Sequence, residues 1–477
     1  MIPHSATTLN VSALLEQHAD RRPGRTAVIF GDRRWSYAEL NGAANRVANA
    51  LVADGIRPGD HVALACPNLP YFPIAYFGIL KAGAVVVPLN VMFRPREIAY
   101  HLRDSDARAL LCFEGTPELP MLQMAQEALP EAPGCERLIA MPANPVDPGP
   151  LQGAMTFGRW VAAQPDRFET AATQPDDTAI IIYTSGTTGQ PKGAELTHLN
   201  IVTNAIDCFT LLLPRTDTAV DAHVVSLITL PLFHSTAQVA QMCASIYGGF
   251  SLVLLPRFDP AAVLETMRRE RVTFWCGVPT MYWGLLQYAD AQGVDVSAVA
   301  ASLRACTSGG APMPVAIMQR FEQVFDVRIL EGYGLSETSP VATFNHLERP
   351  AKPGTVGQPL LGVRIRCVDD QDRPVPVGER GEVAIQGPNV MKGYYKRPDA
   401  TAEAMRNGWF HTGDIGVIDE DGYLSIVDRR KDMILRGGYN VYPRELEEVL
   451  LTHPAISLAA VVGVPDERLG EQVKAYI

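Results

Sequence analysis

From the start of the chain to about residue 340, short apolar runs rich in β-branched residues alternate with helical patterns. Ala27-Val28-Ile29-Phe30, His61-Val62-Ala63-Leu64-Ala65, Ala84-Val85-Val86-Val87 and Ser251-Leu252-Val253-Leu254-Leu255 read as buried strands, with helices such as Ala261–Glu270 between them. That alternation predicts parallel sheets covered by helices. From about 354 to 428 the texture changes to short strands and turns, punctuated by Gly354, Gly357, Pro359, Gly362, Gly378, Gly381 and Gly387. Asp421-Gly422, set between Gly416-Val417-Ile418 and Tyr423–Val427, is a hairpin signal. This part is expected to be antiparallel, a small barrel-like sheet. A charged cluster, Asp428-Arg429-Arg430-Lys431-Asp432, follows. Beyond it the pattern predicts a strand over Met433–Arg436, a helix over Pro443–Leu451, and strands over Leu458–Val464 and Gln472–Ile477. The fold class expected is α/β: a large N-terminal domain of helix-covered parallel sheets with a small antiparallel sheet, then a small α+β C-terminal portion. The Pro-, Ala- and Asp-rich stretch 141–176 reads as a surface excursion, and Ser12–His18 as an amphipathic helix.

Composition adds bounds. With 477 residues, 47% hydrophobic and 19% charged, the chain can hold two or more domains and a large core. A net charge of −11 supplies no basic field for nucleic acid. The eight cysteines show no CxxC spacing, which points to reduced thiols in a cytoplasm rather than a zinc site. The most apolar stretch, Phe72–Val87, is broken by Lys81 and Gly83, so no membrane span is expected.

Candidate chemistry is concentrated in a few loops. Thr184-Ser185-Gly186-Thr187-Thr188-Gly189-Gln190-Pro191-Lys192-Gly193 packs four hydroxyls, three glycines and a lysine behind the strand-like Thr178–Tyr183. Glycines let backbone N–H groups approach phosphate oxygens, hydroxyls donate, and a lysine neutralises charge. The spacing is not GxxxxGK[ST], and Ser/Thr/Gly runs also serve as plain linkers. Glu331-Gly332-Tyr333-Gly334-Leu335-Ser336-Glu337-Thr338 sets an aromatic between two glycines, where its ring can cover a flat base. Glu337 is a hard oxygen ligand suited to Mg²⁺, and Thr338 can donate to phosphate; the same residues would also suit a strand–turn–helix cap. In Ser308-Gly309-Gly310-Ala311-Pro312, small residues let backbone stand close to a planar ligand. His411-Thr412-Gly413-Asp414 places a carboxylate on a glycine-held loop, although Asp beside Gly is also a common turn former. Pro231-Leu232-Phe233-His234-Ser235 puts a histidine at a strand end. Arg436-Gly437-Gly438-Tyr439 offers bare backbone before Pro443, itself a good first residue of a helix.

Together these motifs resemble the AMP-forming adenylating enzymes, the superfamily of acyl-CoA synthetases, peptide-synthetase adenylation domains and beetle luciferases, over nearly the whole chain. The resemblance implies that Thr184, Ser185, Gly186, Thr187, Thr188, Gly189 and Lys192 hold the phosphates of ATP. It implies that Gly309, Gly310, Ala311, Pro312, Glu331, Gly332, Tyr333 and Gly334 line the adenine. Thr338 touches the α-phosphate, Thr184 and Glu337 bind Mg²⁺, Asp414 takes the ribose hydroxyls, and Arg429 adds a second ribose or phosphate contact. Gly437, Gly438 and Tyr439 meet the pantetheine arm of CoA. His234 orients the acyl carboxylate and opens the thiol route, and Lys431 is the hinge between a domain 1–428, with 354–428 as its barrel-like part, and a lid 429–477. The activity implied is a two-step acid–thiol ligation. A carboxylate attacks the α-phosphate and releases pyrophosphate, with Lys192 and the loop donors stabilising charge, and the acyl-adenylate then passes its acyl group to CoA.

No acidic residue occurs between Asp221 and Asp259, where relatives that activate amino acids carry an aspartate, so an acid without an α-ammonium fits better. The run Tyr333–Pro340 is closest in style to bacterial medium- or long-chain fatty acyl-CoA synthetases. The residues 234–242, Val278–Tyr282, Thr307–Gly309 and Val341–Phe344 are the expected acyl walls. Alternatives are an acyl carrier protein as acceptor, or a non-catalytic binder of nucleotide or acyl-adenylate. The resemblance allows a homodimer. It also implies a lid lysine beyond Ile477, with which Lys474 does not align, so the expectation for these 477 residues alone is weak adenylation, lower by about 10²–10³.

Overall fold

The computed structural model describes residues 8–144, 151, 154–184, 190–212, 224–349, 352–429, 432–436, 439–451, 453, 455, 456, 458–466 and 470–477. They form two compact units. The first comprises Met1–Cys276, Ser336–Pro340 and Asn389–Pro398; the second comprises Gly277–Leu335, Val341–Pro388 and Asp399–Ile477.

The first unit contains an eight-stranded sheet in the order Gly393–Tyr394, Lys192–Thr197, Thr178–Thr184, Val85–Pro88, His61–Ala65, Ala107–Phe113, Arg137–Met141, Met155–Thr156. From Thr178–Thr184 onward the neighbours are parallel. Strands buried on both faces read as continuous apolar runs, and Val85–Pro88 is buried at every position. The alternation in sequence therefore marked His61–Ala65, Val85–Pro88 and Thr178–Thr184, but it did not single out Ala107–Phe113, Arg137–Met141 or Met155–Thr156. It did not mark the other end of the sheet: Lys192–Thr197 runs antiparallel to Thr178–Thr184, and Gly393–Tyr394 antiparallel to Lys192–Thr197. A second set of strands, Val225–Ile228, Ser251–Leu254, Thr26–Phe30 and Phe274–Cys276 of Phe274–Gly277, is parallel, with Arg33–Ser36 antiparallel at its edge. Helix Tyr37–Ala53 starts at a capping box in which Ser36 and Glu39 satisfy each other's backbone N–H groups.

Stretch 141–176 is more than a surface excursion. It contributes the edge strand Met155–Thr156 and the helix Phe157–Val161, which buries Phe157 and Trp160. Trp160 Nε1 donates to Asp54 at 2.8 Å, and Thr173 bonds the backbone of Leu9. Its apolar residues are too few and too widely spaced to give a period, so burial came from tertiary contacts that no local pattern encodes.

In the second unit, Ala305–Ser308 pairs parallel with Ile329–Gly334, which pairs antiparallel with Val341–Phe344, followed by Gln358–Pro359. An antiparallel sheet follows: Arg364–Val368, Gly381–Gln386, Trp409–Ile418 and Met405–Arg406, with Leu424–Arg429 also on Trp409–Ile418. The last pairing realises the Asp421-Gly422 hairpin. The chain finishes in a four-stranded antiparallel sheet ordered Tyr439–Val441, Ile434–Arg436, Gly470–Tyr476, Ala460–Asp466, with helix Pro443–Leu450. All eight cysteines are buried and unbridged. Among the described residues no helix is long and apolar enough to cross a membrane.

Candidate active site

In the first unit, Thr184 ends one strand and Lys192 begins the next, and the two face each other in register. The loop they close, Ser185, Gly186, Thr187, Thr188 and Gly189, lies outside the described residues. Its stems are held from helix Pro95–Asp104. Tyr100 donates to the Pro191 carbonyl at 2.7 Å, and Tyr183 donates to Asp104 at 2.9 Å. Burial, and then Asp104, raise the Tyr183 pKa, so the phenol keeps its proton and remains a donor. Arg397 pairs with the other oxygen of Asp104.

Thr184 Oγ1 donates to Glu337 Oε1 at 3.1 Å, and Tyr394 donates to the same oxygen at 2.9 Å. Glu337 is buried, and its carbonyl accepts from Met391 N–H at 2.8 Å. Among the described residues no cation pairs with it, and Lys192 Nζ lies 5.3 Å over the Tyr394 ring. A buried carboxylate with hydroxyl partners and no balancing charge is a hard-oxygen set that fits Mg²⁺, which takes few protein ligands and keeps waters or phosphate oxygens. Thr338 is fully buried, and its hydroxyl donates to the Pro340 carbonyl at 2.7 Å.

His234 follows strand Val225–Ile228 and begins a turn continued by a π-helix, Thr236–Cys243, a rare geometry found often at functional sites. Its ring is exposed and lies 4.7 Å from Phe233, and desolvation by surrounding protein lowers its pKa, so neutral imidazole is favoured. The approach to His234 is clamped by Asn68, whose amide donates to Leu230 and Leu255 carbonyls and accepts from Leu232 N–H.

In the second unit, Tyr333 donates to Asp414 Oδ2 at 2.6 Å, and burial raises its pKa well above the usual value. Arg429 sits opposite Asp414 in strand register, its Nε 3.5 Å from Oδ1. Gly332 is required on packing grounds, since a Cβ there would fall 2.4 Å from the Phe344 ring. The loop of Gly309, Gly310, Ala311 and Pro312 is tied to the neighbouring strand because Glu331 is buried and accepts from Met313 N–H at 3.2 Å. The Tyr282 hydroxyl donates to the Thr307 carbonyl at 2.7 Å, joining two of the expected acyl-wall segments. Tyr439 lies on the backbone of strand Tyr439–Val441, whereas Lys431, Gly437 and Gly438 lie outside the described residues. One expectation needs correction. His411-Thr412-Gly413-Asp414 is not a loop before the hairpin; it lies within the ten-residue strand Trp409–Ile418, as a bulge.

Sequence reasoning missed Tyr100, Asp104, Tyr394, Arg397 and Asn68. The aromatic and basic run Tyr394–Arg397 was the available signal, but its partners lie about two hundred residues or more away for Gly193 and Asp104, and no spacing reveals them.

Comparison with known proteins gives these side chains their setting. Residues 15–395 match the AMP-binding enzyme family, and residues 445–477 match the AMP-binding enzyme C-terminal domain. A feruloyl-CoA synthase of Amycolatopsis sp is 39% identical, over 97% of this chain and 87% of its own length. A long-chain-fatty-acid–CoA ligase of Bacillus subtilis strain 168 is 36% identical, over 100% of this chain and 87% of its own. The crystal structure of the anthranilate CoA ligase AuaEII in complex with anthranoyl-AMP superposes with a TM-score of 0.89 at 29% identity, covering 98% of this chain and 86% of that one. The chain belongs to the AMP-binding enzyme family, as one of its adenylating acyl-CoA ligases.

Proposed function

We propose that this ligase activates a fatty acid as its acyl-adenylate, using ATP with Mg²⁺, and passes the acyl group to CoA. The observation that carries the reading is the bonding of Thr184 and Tyr394 to Glu337, which joins three motifs remote in sequence around one carboxylate. Lys192 and the N–H and hydroxyl groups of loop 185–189 stabilise charge on the phosphates, while Thr184 and Glu337 hold Mg²⁺, which supplies further charge stabilisation when bound. Tyr333 covers the adenine together with Gly309, Gly310, Ala311, Pro312, Gly332 and Gly334. Asp414 and Arg429 take the ribose. Neutral His234 orients the acyl carboxylate. Lys431 serves as the hinge of a lid formed by 429–477, in which Gly437, Gly438 and Tyr439 meet CoA.

The fatty-acid reading is supported by the resemblance of the Bacillus subtilis ligase. The 39% identity to a feruloyl-CoA synthase favours a second reading, an aromatic propenoic acid. ATP–pyrophosphate exchange over saturated C6–C18 acids and hydroxycinnamic acids, followed by thioester formation with CoA or a holo-carrier protein, separates these. Exchange confined to the hydroxycinnamic acids replaces the fatty-acid reading. Exchange with no acid, at any Mg²⁺ concentration, removes both.

A further inference from the structure

We infer that Glu382 is the positioning residue of the ribose side, an inference that rests on reading Asp414 as the acceptor of the ribose hydroxyls. Strands Gly381–Gln386 and Trp409–Ile418 pair Ala384 with His411 and Glu382 with Ile415. Thr412, Gly413 and Asp414 therefore stand opposite Val383 alone, and the hydrogen-bond ladder is interrupted where the motif lies. An interrupted ladder leaves N–H groups that need other acceptors.

Side chains supply them. Gly413 N–H donates to Glu382 Oε1 at 3.1 Å, and Asp414 N–H donates to Thr412 Oγ1 at 3.1 Å. The Thr412 hydroxyl in turn donates to the Val383 carbonyl at 2.8 Å. Glu382 is buried, and its second oxygen meets His411 Nδ1 at 3.2 Å and Arg406 Nη2 at 3.3 Å. Asp372, bonded to Arg406 Nε at 3.3 Å, flanks the same group. One carboxylate thus has its outer oxygen fixed by Arg406, whose Nη2 also donates to His411 Nδ1 at 2.6 Å, and its inner oxygen turned to the bulge.

Gly413 has φ +74, a left-handed conformation that most residues avoid. Its peptide keeps that orientation through the bond to Glu382, and the next residue is Asp414. Withdrawing the acceptor lets the peptide rotate and moves the carboxylate that Tyr333 and Arg429 otherwise hold. The function assigned to Glu382 is to aim Asp414, with no contact of its own to nucleotide.

The test is calorimetric binding of AMP, 2′-deoxy-AMP and 3′-deoxy-AMP to the full chain and its variants. Wild type is expected to prefer AMP over both analogues. Glu382→Ala should weaken AMP binding about tenfold, the worth of a hydrogen bond to a charged group, and bring all three ligands to similar affinity. Glu382→Gln, which keeps an acceptor for Gly413, should retain most of the preference. Glu382→Asp keeps the charge beside Arg406 but draws the oxygen back by a methylene; it should lose the preference, and it decides the question where the alanine variant does not fold. A Glu382→Ala or Glu382→Asp protein that is merely less heat-stable, with the wild-type preference intact, overturns the inference. A wild type that does not distinguish the three ligands removes the reading of Asp414 and the inference with it.

Discussion

Two carboxylates, one in each unit, are surrounded differently. Glu337 takes two hydroxyls on one oxygen, and among the described residues it has no cationic partner; Lys192, on the adjoining strand, faces the Tyr394 ring instead. Asp414 takes a phenol on one oxygen and has Arg429 beside the other. A buried anion without a counter-charge is costly unless a cation completes it. A carboxylate whose charge is already balanced is left with lone pairs to offer to hydroxyls. On the function proposed above, the difference suits the two acidic residues to different ligands: Glu337 to a metal ion, Asp414 to a sugar.

The strongest way to break that contrast is Glu337→Gln. It should lower pyrophosphate exchange by about 10²–10³, as expected for losing one preorganised charge-stabilising group, and raise the Mg²⁺ concentration giving half-maximal rate. The same titration on Asp414→Asn should leave the Mg²⁺ requirement where it was. Equal Mg²⁺ shifts in the two variants end the distinction.

The first unit also carries an acid-sensitive element that sharpens the comparison. Strand Lys192–Thr197 runs directly into His198, whose Nδ1 accepts from Val11 N–H at 3.1 Å. Burial, opposed in part by Asp177, lowers its pKa from 6.5 to about 4. The folded protein thus binds this proton less readily than the unfolded chain, and the stability gained is present above pH 6.5. It is lost as pH falls from 6.5 towards 4, by about 3 kcal/mol when complete. His198→Asn keeps an acceptor and cannot charge, so its urea-unfolding midpoint should change less over that window than the wild type's. Parallel pH curves for the two proteins would refute the assignment.

Asp414→Asn comes next in size. Losing the charged acceptor of a hydrogen bond costs about 1.5–3 kcal/mol, so KM for ATP should rise about ten- to a hundredfold with kcat changed less. A fall in kcat alone would place Asp414 in the chemistry of transfer rather than in holding the sugar.

Motifs were legible in the sequence because backbone chemistry wrote them locally. The Gly-Tyr-Gly frame around Tyr333 is visible because Phe344 leaves no room for a Cβ at Gly332. The central parallel strands are visible because two buried faces give unbroken apolar runs, as at Val85–Pro88. What holds the motifs in place was not visible. Glu382 reads as an ordinary strand glutamate, and Asp104 as the last residue of a surface helix. Their roles arise from partners 31 residues away for Gly413 and 293 residues away for Arg397, and neither separation has a period. The Thr412–Asp414 bulge was misread as a loop for the same reason: glycine signals a special φ, but only the partner strand shows whether pairing resumes.

Tyr394 gives the smallest and most discriminating test. Its hydroxyl shares Glu337 Oε1 with Thr184, and its ring lies beneath Lys192. Tyr394→Phe removes the hydroxyl and keeps the ring. Because Thr184 still donates to the same oxygen, the loss should be that of one hydrogen bond, about 1 kcal/mol, a fivefold fall in exchange rate or less. Removing a donor also frees a lone pair on Glu337 Oε1 for the metal, so the Mg²⁺ requirement should fall slightly rather than rise, opposite in sign to Glu337→Gln. Tyr394→Leu, which removes the ring as well, should cost more if the contact with Lys192 helps to aim the ammonium group. A Phe variant with the same Mg²⁺ response as Glu337→Gln would mean that the hydroxyl, and not the carboxylate charge, sets the metal requirement.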